Sequence, residues 1–139
     1  MRFFKILLIL LLVLIAFVAL YQKMVQGEEI PYWKVLLAEG ANQGEPGMTA
    51  IACVIRNRGG GLDGFMGAKR KDLDDFCRRQ GKSAISLAKK IERRVFKEGA
   101  PDSTFGATHF ENVERFGEPY WAKDMVKTCK IRNHTFYKK

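Results

Sequence analysis

Cysteine and histidine are scarce in this 139-residue chain, and the shortage removes several kinds of chemistry at once. Cys53, Cys77 and Cys129 are an odd number, so a complete internal disulfide framework is excluded; one pair, for example Cys77 with Cys129, plus a spare thiol is the most they allow. No two of them stand at metal-ligand spacing, and His109 and His134 are too far apart to form a short-range ligand pair, so no metal site is expected. The chain also lacks G-x-S-x-G, the P-loop and G-x-G-x-x-G. Gly59-Gly60-Gly61 has no following Lys-Ser/Thr and reads as a connector. No organic cofactor is implied.

Acidic residues are also in deficit, at 15 against 24 Lys and Arg, for a formal charge of +9. Such a surplus favours polyanions or acidic polymers as partners. Of the 24 bases only Arg2 and Lys5 fall in the first 21 residues, so the basic character belongs to the rest of the chain. The runs Lys69-Arg70-Lys71, Arg78-Arg79, Lys89-Lys90 and Arg93-Arg94 read mainly as solvated faces.

Charge is missing altogether from Ile6 to Tyr21, an uninterrupted apolar run. With Phe3 and Phe4 it comes close to the roughly 20 residues needed to cross a bilayer. Arg2 and Lys5 before it predict a cytoplasmic N-terminus with the remainder extracytoplasmic, which disfavours nucleic acid as a partner. A cleaved signal followed by secretion is the alternative, although Phe17-Val18-Ala19-Leu20 offers no clean small-x-small site. The predicted organisation is a membrane segment over 1–21, a linker over 22–31 and a single domain over 32–139.

Within the domain, Trp33, Leu36, Leu37 and Gly40 predict a helix over Tyr32 to Ala41 after Pro31. Met48, Ile51, Ala52 and Ile55 give a second, capped by Glu45-Pro46 and stopped by the glycine triplet, with Arg56 and Arg58 towards solvent or substrate. Leu62 to Lys82 reads as a loop with one short helix. Ser83 is expected to cap a third long helix carrying Ala84, Leu87, Ala88, Ile91 and Val95, ended by Gly99 and Pro101. Ala107 to Phe110 is a strand candidate, Pro119 to Lys127 a short helix and Lys130 to Tyr137 a closing strand. The fold class is therefore α+β: a mostly helical domain with a small antiparallel ribbon.

One carboxylate stands apart. Glu39 ends an otherwise apolar helical stripe beside aromatic residues, where burial would raise its pKa and leave a neutral acid able to donate a proton. A Glu at a helix end is, however, ordinarily solvated.

The segment A-E-G-A-N-Q-G-E-P-G-M-T-A-I-A-C-V-I-R-N-R, Ala38 to Arg58, resembles the opening motif of the SleB-type cell-wall hydrolases. Ser83-Ala84, Leu87-Ala88, Gly99 and Asp102 to Asn112 are similar to that family's helix, D-x-T-x-G-A turn and strand. Tyr120-Trp121-Ala122, Thr128 and Ile131 to Tyr137 are similar to its ending. The pieces keep their order over Tyr32 to Tyr137. Gln43 stands where the family usually carries a second Glu, Arg132-Asn133 where it has a Gly, and Leu62 to Lys82 matches poorly apart from Phe76.

The resemblance implies a lysozyme-like fold that cleaves peptidoglycan strands between N-acetylmuramic acid and N-acetylglucosamine, with the catalytic Glu at Glu39. A single carboxyl serving as acid and then base suits a lytic transglycosylase. Hydrolysis stays open, with Glu45 or Glu111 as helper. Sugars want aromatic platforms beside short polar groups, and by family position His109, Phe110, Asn112 and Tyr120 are the substrate-binding candidates. Trp121, His134, Phe136 and Tyr137 are assigned mainly to packing. The rival reading is a catalytically inactive, membrane-tethered peptidoglycan-binding module.

Overall fold

The structure, a computed structural model, describes residues 2–25 and 29–139. An apolar helix, α1 (Arg2–Val25), contains the one span among the described residues long and apolar enough to cross a bilayer, Phe4–Gln22; an N-terminal export signal has the same profile. The expected segment therefore continues past Tyr21, so the predicted linker over 22–31 is partly helical, while its residues 26–28 lie outside the described ones.

Four helices follow: α2 (Tyr32–Gly40), α3 (Gly44–Asn57), α4 (Leu73–Arg79) and α5 (Lys82–Phe96). Helices α2, α3 and α5 pack on one another because each carries an apolar stripe at helical spacing. Val35, Leu36 and Leu37 meet Met48, Ile51 and Ile55 and then Ala88, Ile91 and Val95 in a core from which solvent is nearly absent. Helix α3 starts at Gly44 with Gln43 in the capping position, so Glu45-Pro46 lies inside the first turn rather than capping it as expected, and Gly59 and Gly60, at φ +67° and +90°, end it in the left-handed region that glycine enters without strain. The Tyr32 hydroxyl donates to the Gly60 carbonyl there, tying that turn to the start of α2.

Three further expectations require correction. Helix α5 begins at Lys82 with Gly81 in the capping position, so Ser83 lies within the first turn and its hydroxyl caps nothing. The helix predicted over Pro119 to Lys127 is only a 3₁₀ turn, Tyr120–Asp124, and a strand starts at Val126. The closing strand is in fact a hairpin, broken at Arg132-Asn133, where Arg132 has φ +55°.

The sheet is accordingly three-stranded and antiparallel: β1 (His109–Glu111), β2 (Val126–Ile131) and β3 (His134–Lys138), in the order β1-β3-β2. Phe110 pairs with Phe136 across β1 and β3, and Cys129 with Phe136 across β2 and β3 beside a bulge. β-branched Val126, Thr128 and Ile131 suit the pleated surface, so partnership with β3 overrides the local helical pattern. A one-turn helix, α6 (Val113–Phe116), leaves β1 directly. The architecture is thus mixed helix and sheet. The three cysteines are free: Cys77 Sγ lies against the Lys34 carbonyl and Cys129 Sγ against that of Ser103, each at 3.8 Å.

Candidate active-site cleft

A cleft of about 1290 Å³ runs between the end of α2, the segment after α3, and the β1–α6 edge of the sheet. Glu39, in the last turn of α2, is half-buried in its wall. The backbone N–H of Gly67 donates to Glu39 Oε1. Burial pushes the Glu39 pKa up, the Gly67 bond pulls it down, and the negative charge of Glu111 pushes it up again; the balance is upward. A carboxyl so placed holds its proton to a higher pH than a free one, and the protonated form is the one that donates protons.

The opposite wall is aimed by a polar knot. Asn57, at the end of α3, donates through Nδ2 to Asp102 Oδ2 at 3.0 Å and to the Ala107 carbonyl at 2.9 Å. Asp102 also accepts from the Thr104 hydroxyl and N–H and from the Gly106 N–H. Burial would raise this carboxyl, but those bonds outweigh it and hold the pKa at about 2. The D-x-T-x-G-A turn is therefore a rigid bracket fixing where β1 starts.

All four substrate-binding candidates line the cleft beside Glu39, but in different ways. His109 is half-buried, tilted against Trp121 at 5.2 Å with Nδ1 2.9 Å from the Thr108 hydroxyl. Burial, then the charges of Arg58 and Lys139, lower its pKa, which favours the neutral imidazole. Phe110 divides its ring between cleft and core, with Phe65, His134 and Phe136 all within 5.8 Å of its ring centre. Asn112 spends its Oδ1 capping α6 through the Arg115 N–H at 3.1 Å. Tyr120 stands on the rim, 84% exposed.

Of the two possible helper carboxylates, Glu111 lines the cleft and Glu45 does not. Glu45 is exposed and paired with Arg94 at 2.7 Å, which removes it from the site. Gln43 is 4% exposed; its Oε1 accepts the Asn133 N–H at 3.0 Å, holding the β2–β3 turn against the start of α3. Of the two arginines expected towards solvent or substrate, Arg56 is instead structural, donating to the Val95 and Ala100 carbonyls at the end of α5, while Arg58 does reach the cleft.

Sequence reading missed Phe65 and Met66, which line one side, Arg115 and Phe116 on the other, and Gly67, whose N–H holds Glu39. Their stretches have no clean period, so the one usable signal was their density of glycine and aromatic residues. The packing assignments agree with the structure: Phe136 and Tyr137 are fully buried, His134 is 8% exposed, and Trp121 meets Tyr137 edge-on at 5.3 Å. The basic runs are exposed, with Arg70 and Arg79 sharing Asp72, Arg78 on Asp75 and Arg93 on Glu98.

No protein-family model, curated protein or solved structure matches the chain.

Proposed function

We propose that the domain is a lysozyme-like enzyme that cleaves peptidoglycan glycan strands between N-acetylmuramic acid and N-acetylglucosamine, with Glu39 as the acid. The observation that carries this reading is a half-buried carboxyl with a raised pKa, set in a cleft of saccharide dimensions that also exposes His109, Asn112 and Tyr120. The resemblance of Ala38 to Arg58 to the cell-wall hydrolases supplies the substrate class. The apolar helix α1 anchors the domain at the membrane, facing the wall.

Chemically, Glu39 gives its proton to the glycosidic oxygen as the C1–O bond breaks. The C6 hydroxyl of the muramic acid residue then closes on C1, and its proton returns to the Glu39 carboxylate. The product is a 1,6-anhydro end, no water is consumed, and the acid is regenerated. If the reaction is hydrolytic instead, Glu111, which lines the same cleft, is the candidate carboxylate to activate water.

Digestion of purified sacculi by the full chain, followed by mass analysis of the released fragments, tests the assignment. Glu39→Gln is expected to abolish release; undiminished release overturns the proposal. Anhydro ends select transglycosylation, reducing ends select hydrolysis with Glu111, and sacculi bound but never cut select the binding module.

A further inference from the structure

Outside the cleft, Arg70, Arg78, Arg79, Arg93 and Arg94 each sit on an acid, while Arg132, on the β2–β3 turn, is exposed and has no ion pair among the described residues. Arg58 and Arg115 differ: both line the cleft, and among the described residues neither takes part in an ion pair. They are nevertheless held in place. The Arg58 guanidinium donates to the Asp63 carbonyl and lies 5.1 Å from the centre of the Phe65 ring, while that of Arg115 lies 5.1 Å from the centre of Phe116. A guanidinium has five N–H donors in a planar fork suited to carboxylates, and Arg58 commits one side of its fork to the carbonyl. Glu111 and Asp63 share the cleft, but neither forms an ion pair with Arg58 or Arg115, so two guanidinium groups face it with donors left for a negatively charged ligand.

A neutral aminosugar polymer offers them hydroxyl and acetamide acceptors but no charge to pair with. We propose that Arg58 and Arg115 bind a carboxylate on the glycan, so that the cleft discriminates acidic strands from neutral ones. The inference rests on the proposed function, and it names the feature of the strand that the site selects. Two sources supply the group: the lactyl carboxylate of muramic acid, free once its stem peptide is removed, and the carboxylates of an attached stem.

The test separates binding from cleavage by using the full-length Glu39→Gln protein in detergent micelles. Its affinity is measured for stem-free glycan strands, for strands with stems attached, and for a chito-oligosaccharide that has no carboxylate. Tighter binding of either acidic ligand is expected, and which one wins identifies the source. Each charge-assisted contact is expected to contribute roughly tenfold, so Arg58→Gln and Arg115→Gln each lower the acidic-to-neutral affinity ratio by about that factor. Arg58→Lys keeps a charge and is expected to retain part of the preference, which separates recognition from mere support of the loop.

Equal affinity for all three ligands, or a ratio unmoved by both glutamine substitutions, overturns the inference; if Glu39-dependent cleavage of sacculi persists alongside, the proposed function survives it. Absence of binding to every saccharide removes both.

Discussion

Gly67 holds Glu39 from a position that no other residue can occupy without displacement. Its N–H donates to Glu39 Oε1, and a Cβ added there would approach the Ala38 Cβ to 2.6 Å and Oε1 itself to 3.0 Å. The first is closer than packed atoms approach and belongs to a helix wall rather than to a flexible tip; the second is tight enough that the Glu39 carboxyl would have to give by a few tenths of an ångström. Gly67→Ala is therefore expected to push the Phe65–Gly67 segment off α2. Overpacking of this kind costs about 1–3 kcal/mol of stability. Misplacing a reacting group by about 1 Å can cost on the order of 100-fold in rate, so sacculus digestion should fall much further than the melting temperature suggests. Wild-type digestion by Gly67→Ala would mean that Glu39 needs no such clamp.

Glu111 exerts its effect on Glu39 through charge. Burial is the main cause of the raised Glu39 pKa, the Gly67 bond opposes it, and the Glu111 carboxylate adds to it. A general acid must be protonated, so activity is expected to decline as pH rises through the Glu39 pKa. Glu111→Gln removes the negative neighbour, lets Glu39 ionise more readily, and should move that alkaline limb to lower pH. The position of the limb in the pH profile of kcat/KM is the readout, because it is independent of any drop in the maximum. A limb that stays put, or moves up, shows that Glu111 does not raise the Glu39 pKa.

The helical half of this fold is legible in the chain because its signals are local. Leu36 and Leu37, then Met48, Ile51 and Ile55, then Ala88, Ile91 and Val95 repeat at helical spacing, and each stripe is buried as its period requires. The sheet is harder to read. Val126 to Ile131 becomes a strand only because β3 lies beside it, and Arg132-Asn133 offers an Asn but not the glycine that usually marks a two-residue turn. Glu39 can be singled out from its place at the end of an apolar stripe, but its partner Gly67 lies 28 residues away in a stretch without periodicity. Phe110 illustrates the converse: its motif position puts it at the cleft, while its ring is shared between groove and core.

Asp102 makes acid stability measurable. Burial alone would raise its pKa, but hydrogen bonds from Thr104, Asn57 and Gly106 lower it from 3.8 to about 2. A carboxyl whose folded pKa is depressed stabilises the fold above its unfolded pKa, and that contribution disappears as pH falls towards the folded one. The domain is therefore expected to lose on the order of 2 kcal/mol between about pH 5 and pH 2 through this group. Asp102→Asn should flatten that part of the stability curve and lower stability at pH 7, where Thr104, itself fully buried, loses an ionised acceptor. Urea unfolding midpoints at several pH values provide the check; parallel curves for the two proteins would remove Asp102 from the acid response.

Tyr120 and Trp121 are adjacent in the chain but have opposite duties, and two alanine substitutions tell them apart. The Tyr120 side chain is 84% exposed on the rim of the cleft, so removing it takes almost nothing from the core. Trp121 is half-buried, with its ring against His109 at 5.2 Å and edge-on to the fully buried Tyr137 at 5.3 Å. Tyr120→Ala is expected to leave stability within about 0.5 kcal/mol of wild type, as surface changes usually do. Its KM for glycan should nonetheless rise, because an aromatic face that sugar rings can stack on has gone. Trp121→Ala instead opens a gap beneath β1 and should destabilise the domain by about 2–3 kcal/mol, near the lower end of large-to-small aromatic losses because the ring is only partly enclosed. If Tyr120→Ala proves the less stable of the two, or binds glycan as well as wild type, the rim of this cleft is not where saccharide stacks.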